Sequence, residues 1–163
     1  GLWLGLLEPD AGTVRLLGGS PFESASRLGI GVMMQDVALA PTLTGREQIE
    51  LARSAYRAPL SVEETLALTA TAALAGRRYG KLSAGQKRRL GLTRLLLAKR
   101  PLWLLDEPTV SLDASSQAWL ARQMQGHLDG GGILVAATHA PLGLAAQRTL
   151  ALETVALSED VAL

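Results

Sequence analysis

The sequence contains no cysteine, so neither a disulfide nor a thiolate metal site can be built from it, which is compatible with a reducing compartment. It has no excess of charge either: 16 Lys and Arg against 15 Asp and Glu give a formal net charge of +1. That leaves no electrostatic footprint for nucleic acid or an anionic membrane, and no nucleic-acid partner is expected. No uninterrupted apolar run is long enough to cross a bilayer; the longest candidate, "ILVAATHAPLGLAA", is broken by His139, Pro141 and Gly143. The opening "GLWLGLLEPDAG" has no basic flank and soon reaches Glu8 and Asp10, which speaks against a signal peptide. Internal repeats and low-complexity tracts are missing too. What is there is a chain of 163 residues, 48% apolar and 19% charged, enough for one cytoplasmic globular domain with a real core.

The order of local patterns predicts an α/β fold. "TVRLLG" at 13–18 and "GIGVMMQ" at 29–35 read as short strands. Thr44 with Glu47, and Ser61 with Glu64, match capping boxes, so helices are expected over 45–56 and through "SVEETLALTATAAL". Residues from about 37 to 90 therefore read as wholly helical. "PLWLLD" is a continuous apolar run, as in a strand covered on both faces. In "ASSQAWLARQMQGHL", Trp119, Leu120, Met124 and Leu128 recur at helical spacing before "DGGG". "ILVAATH" is a second apolar strand and "RTLALE" a possible third. Strand, helix, strand with buried patterns predicts a parallel sheet.

Three of these strands end on polar residues: Gln35, the pair Asp106 and Glu107, and His139. In an open parallel sheet the carboxyl ends of the strands form the ligand-binding edge, where side chains converge while the strands hold them. Asp106 suits Mg²⁺, which takes oxygen ligands and keeps waters of its own. Glu107 suits polarising a water in phosphoryl transfer. The competing reading of the pair is an acidic strand end exposed to solvent. His127, near the end of its helix, reads as structural, since an imidazole suits the negative end of the dipole.

"LSAGQKRRL" opens a helix. Ser83 and Gln86 form a third capping box, and small Ala84 and Gly85 leave the first-turn N–H groups approachable. Such a terminus is either an anion site suited to phosphate or simply a well-capped helix.

Taken together, these motifs resemble the ATP-binding domain of ABC (ATP-binding cassette) proteins, in the family's order across nearly the whole chain. "LSAGQ" resembles the signature motif, "LWLLDEP" Walker B with the catalytic glutamate, and "SLD" at 111–113 the D-loop. His139 resembles the switch histidine and Gln35 the Q-loop glutamine. The resemblance implies a P-loop NTPase-type, mostly parallel sheet, one domain over 1–163, with an inserted helical subdomain at about 37–90. It implies ATP and Mg²⁺ as cofactors and a head-to-tail dimer with a second such domain. Glu107 and His139 would be catalytic, and Asp106 and Gln35 would hold the metal. Gln35, Ser83, Ala84, Gly85, Gln86, Asp106 and Asp113 would bind ATP, the signature residues acting on the partner's nucleotide. A transmembrane permease subunit would hold the domain peripherally on the inner face of the cell membrane.

One motif of the family does not occur. The P-loop has the pattern G-x-x-x-x-G-K-[ST]. The three lysines are Lys81, Lys87 and Lys99; Lys81 follows Gly80, but Leu82 comes next and Ala75 stands at the first glycine position. The expectation is a domain truncated at its N-terminus. "LLEPDAGTVRLLG" and "RRYGKLSAGQKRRLGL" resemble drug-exporter ATPases, whereas "LLAKRPLWLLDEPTVSLD" and "ATHAPLGL" resemble the ATPase of the bacterial haem exporter of cytochrome c maturation. The leading expectation is thus an exporter ATPase. The alternatives are a non-hydrolysing fragment or interaction module, and an ABC protein of translation or DNA maintenance. The near-neutral charge, the absence of heptad repeats and the lack of a second cassette in this chain weigh against that last one.

Overall fold

Three short, almost continuously apolar runs build one parallel sheet, with the strands in chain order. The computed structural model describes residues 4–34, 39–56, 60–145 and 148–151. A short helix α1 (Ser24–Leu28) leads into strand β1 (Ile30–Met33). Helices α2 (Gly45–Tyr56), α3 (Val62–Leu68) and α4 (Ala84–Ala98) follow, with single 3₁₀ turns at Ala72–Leu74 and Tyr79–Lys81. Strand β2 (Leu102–Asp106), helix α5 (Ala114–Asp129) and strand β3 (Ile133–Ala137) complete the order. β2 is central, with Met33 level with Leu105 and Asp106 level with Ala137.

The apolar run in β2 is explained by what covers it. Trp103 and Leu105 face a cluster with Met33, Leu92 and Leu95, Trp119, Leu120 and Met124. Leu102, one step out of phase, packs on the other face with Leu16 and Ile30. α4 lies between two clusters: Leu92 and Leu95 pack toward the sheet, while Leu90 and Leu97 pack on Ile49, Val62 and Leu66 of the helical layer. A helix apolar on so much of its circumference must be buried. Each of these leucines contributes about 1.5–3 kcal/mol by leaving water.

The sequence expectations hold for α2, for the start of α3, and for α4, α5 and all three named strands. Four details differ. "TVRLLG" forms no strand: Leu16 and Gly19 exchange backbone hydrogen bonds of 2.8 and 3.0 Å around Leu17 and Gly18, both at positive φ. The chain reverses there before a strand can extend. α3 stops at Leu68 rather than running to Leu74. Ala70 is left-handed (φ 51°), and the Thr71 and Ala70 amides bond back to the carbonyls of Leu66 and Ala67, a helix-closing motif usually built on glycine. β3 is as apolar as β2 yet half-exposed, because β2 is its sole neighbouring strand among the described residues. Residues 148–151 of "RTLALE" form no strand, and the rest of that run lies outside the described residues.

Candidate functional site

The site begins where β2 ends. Asp106 is the last residue in the ladder, half-buried, and no hydrogen bond among the described residues engages its carboxylate. Glu107 leaves the strand line through a left-handed backbone (φ 44°), a conformation that costs a residue with a Cβ of order 1–2 kcal/mol. Local bonds compensate: the Glu107 amide donates to the Ala137 carbonyl (2.8 Å), and the Glu107 carbonyl accepts from Val110 (3.2 Å).

That turn carries the Glu107 side chain across to the end of β3. His139 Nδ1 lies 2.7 Å from Glu107 Oε1, and Thr138 Oγ1 lies 3.5 Å from Oε2. A carboxylate can only accept, so Nδ1 carries the proton and Nε2 is left for another partner. Thr138 Oγ1 also lies 3.1 Å from the Ala140 carbonyl, and its one proton serves one acceptor at a time. The Glu107 side chain is 19% exposed and that of His139 81%, so the pair joins a sheltered acid to an open imidazole.

Ser83 caps α4. Its Oγ accepts from the Gln86 amide (3.3 Å), while Gln86 Oε1 accepts from the Ser83 amide (3.1 Å). Arg77 Nη1 also reaches Gln86 Oε1 at 3.4 Å. Ala84 is exposed. Gly85 is required by contact: a Cβ there would sit 2.8 Å from the Ser111 carbonyl oxygen. Asp113 caps α5, accepting from the Ser116 amide (2.7 Å) and the Ser115 hydroxyl (3.0 Å). Its bonds from Ser116, helped by Ser115, hold the Asp113 carboxyl below the usual carboxylate range.

Glu107 and His139 are therefore in contact, and Asp106 adjoins them. Among the described residues no hydrogen bond joins Ser83 or Gln86 to that group. Gln35 lies outside the described residues. His127 is held within the fold: its ring stacks on Trp103 (centroids 4.0 Å apart, 6° between planes), and Nε2 lies 3.2 Å from the Ile133 carbonyl. Sequence reasoning passed over Arg88, which is buried and donates to the carbonyls of Asp106 (2.9 Å), Glu107 and Pro108 (3.2 Å). The available signal was its spacing, since Arg88, Leu92 and Leu95 recur at i, i+4 and i+7 on one helix face.

No cluster of three His, Asp or Glu side chains that could hold a metal by themselves occurs among the described residues. A half-buried carboxylate with no hydrogen bond among the described residues fits Mg²⁺ bound through one carboxylate, substrate phosphates and water. The residues present therefore fit the metal-binding and water-activating parts of an ATP site. They include no P-loop to cradle the phosphates.

The family model described as ABC transporter matches residues 2–110. Together with a parallel sheet ending in an acid pair and a histidine, this defines an ATP-binding cassette, and the chain belongs to the ABC transporter family as an ABC-type ATPase domain. It is similar to the cytochrome c biogenesis ATP-binding export protein CcmA of Nitrobacter winogradskyi, 45% identical over 151 residues that cover 90% of this chain and 73% of that protein. The CcmA protein of Rhodopseudomonas palustris (strain BisB5) is 41% identical over 144 residues, covering 88% of this chain and 72% of its own. Among solved structures, a dimeric post-hydrolysis ATP-binding cassette bound to ADP and phosphate superposes with TM-score 0.70 at 25% identity, covering 85% of this chain and 68% of that one. An ATP-binding subunit of an ABC transporter also gives 0.70 at 24% identity, over 84% of this chain and 60% of its own. No helix among the described residues is long and apolar enough to cross a membrane.

Proposed function

We propose that this chain supplies the catalytic and signature residues of an ATP-hydrolysing subunit that energises export in cytochrome c biogenesis, with haem as the cargo class. The observation that carries the hydrolytic part is the contact of Glu107 with His139 beside Asp106. Glu107 accepts the proton of the attacking water, as a positioned general base does. His139 holds the carboxylate through Nδ1 and turns Nε2 toward the terminal phosphate. Asp106, with Gln35, would hold Mg²⁺, which would supply charge neutralisation at the phosphates.

In this reading the signature residues Ser83–Gln86 serve the nucleotide of a second, head-to-tail copy. Asp113, exposed and two residues past the Ser111 carbonyl that Gly85 abuts, lies at the same junction. Residues from about 37 to 90 form a helical subdomain that leans on a transmembrane permease at the inner face of the membrane, with Gln35 linking it to the metal. The cytochrome c assignment is supported by relatives 41–45% identical along 88–90% of the chain, a span that includes the first half, which by itself resembles drug exporters.

The test is a chimaera in which these 163 residues replace the matching stretch of the Nitrobacter winogradskyi CcmA protein. It is placed in a bacterium deleted for its own CcmA protein. Restored maturation of c-type cytochromes is the expected result. A chimaera that hydrolyses ATP yet matures no cytochrome c would leave the ATPase and overturn the cargo.

A further inference from the structure

Helix α4 carries a guanidinium into the interior and brings it to the backbone at the end of β2. Arg88 is 5% exposed, and its Nη2 donates to the carbonyls of Asp106 (2.9 Å) and Glu107, while Nε donates to Pro108 (3.2 Å). Three consecutive carbonyls thus turn toward one planar fork. Burying this cation is tolerable because charge-assisted hydrogen bonds replace its water.

The middle carbonyl belongs to the residue with the left-handed backbone. Extended continuation of β2 would send the Glu107 side chain to the face opposite that of Asp106, by strand alternation. The left-handed turn redirects it to His139. The Glu107 amide is fixed by Ala137, and the carbonyls on both sides of its Cα are fixed by Arg88. With both flanking peptide planes held, the Cα–Cβ direction is held as well.

We propose that Arg88 is the positioning residue for Glu107: by gripping the carbonyls of residues 106 to 108, it maintains the turn that points the Glu107 carboxylate at His139. The consequence for turnover rests on the hydrolytic reading above; the geometric claim does not.

The test uses the two histidines of the chain, read by proton NMR of their ring signals without nucleotide. His139 reports the Glu107 contact, and His127, stacked on Trp103, reports the integrity of the fold. Glu107→Gln defines the displaced His139 signals. Arg88→Gln is expected to displace them in the same direction while the His127 signals keep their ring-current shift. Arg88→Lys keeps the charge but cannot fork across three carbonyls, and it is expected to displace His139 part of the way. Loss of the His127 shift in Arg88→Gln would mean that this variant does not fold, and Arg88→Lys then decides. His139 signals at wild-type positions in a folded Arg88 variant, while Glu107→Gln moves them, overturn the proposal. In the Nitrobacter chimaera that carries these 163 residues, Arg88→Gln should lower kcat for ATP about 10-fold or more with KM for ATP nearly unchanged. A Nitrobacter chimaera with the His139 pattern intact but no turnover would reject the hydrolytic reading alone.

Discussion

Glu107 Oε1 and His139 Nδ1 lie 2.7 Å apart, joining the end of the central strand to the residue two past the end of its neighbour. Neither side chain reaches the other through its own strand. The left-handed backbone at Glu107 and the two-residue extension beyond Ala137 both turn inward to make the contact. Donation from Nδ1 fixes the imidazole tautomer and leaves Nε2 open; in the proposed mechanism the carboxylate takes a proton and Nε2 meets a phosphate.

Glu107→Gln in the Nitrobacter chimaera keeps the size of the side chain and removes its basicity. ATP turnover is expected to fall by about 10²-fold or more, the usual contribution of a general base, with nucleotide affinity retained. Steady-state turnover and equilibrium nucleotide binding, measured on the same preparation, check this. Full turnover in the variant would assign the base elsewhere.

Gly85→Ala tests whether the signature glycine is fixed by packing within the chain. The added methyl would stand 2.8 Å from the Ser111 carbonyl, and backbone rather than a flexible side chain would have to yield. The expected loss is about 1–3 kcal/mol, as for overpacking at a tight contact. Ala84→Gly, one residue earlier at an exposed position, should lose no more than about 1 kcal/mol. Urea melts of both variants separate the two. Equal small losses would show that the loop at Ser111 can move aside.

How much of this was legible depended on whether local chemistry decided the outcome. The capping boxes at Thr44, Ser61 and Ser83 are local, and each appears where the sequence puts it. β2 was legible because burial on both faces leaves no polar residue in "LWLL". The end of α3 was not, because Ala70 takes the left-handed position that glycine would have marked. That Asp106 ends β2 and that Glu107 and His139 follow the ends of β2 and β3 could be read, while Gln35 lies outside the described residues; that Glu107 bends across to His139 could not, since the turn depends on Ala137 of β3 and Arg88 of α4. Asp113 shows the limit of resemblance. The family pattern suggests a role toward a partner, whereas its visible contacts are those of a helix cap with Ser115 and Ser116.

That cap makes Asp113 a source of pH-dependent stability. Its folded-state carboxyl is depressed, so its contribution is fully present above the unfolded value, near 4, and is lost as pH falls through the folded one. Asp113→Asn keeps a good N-cap but does not titrate. The stability difference between wild type and variant should be constant above about pH 5 and shrink below about pH 4. Denaturant melts of both proteins across that range check the sign. A difference that grows on acidification would mean that the carboxylate is repelled in the folded state.

The last expectation concerns the 163 residues by themselves: they should bind Mg-ATP no more tightly than about millimolar, or −4 kcal/mol. In phosphate-cradling loops a run of backbone N–H groups and a lysine meet the triphosphate directly. None of Lys81, Lys87 and Lys99 stands in that pattern. Asp106 and Glu107 would then face a polyanion with a single divalent ion between them, and like charges at such range disfavour binding. The helix terminus at Ser83 does not substitute for the cradle, because a hydroxyl and a few first-turn amides, without a lysine in that pattern, fall short of the P-loop's run of donors. Calorimetric titration with Mg-ATP is the direct measurement. Saturable binding at micromolar concentration, about −8 kcal/mol, would show that the acid pair, His139 and the α4 terminus hold a nucleotide without a P-loop.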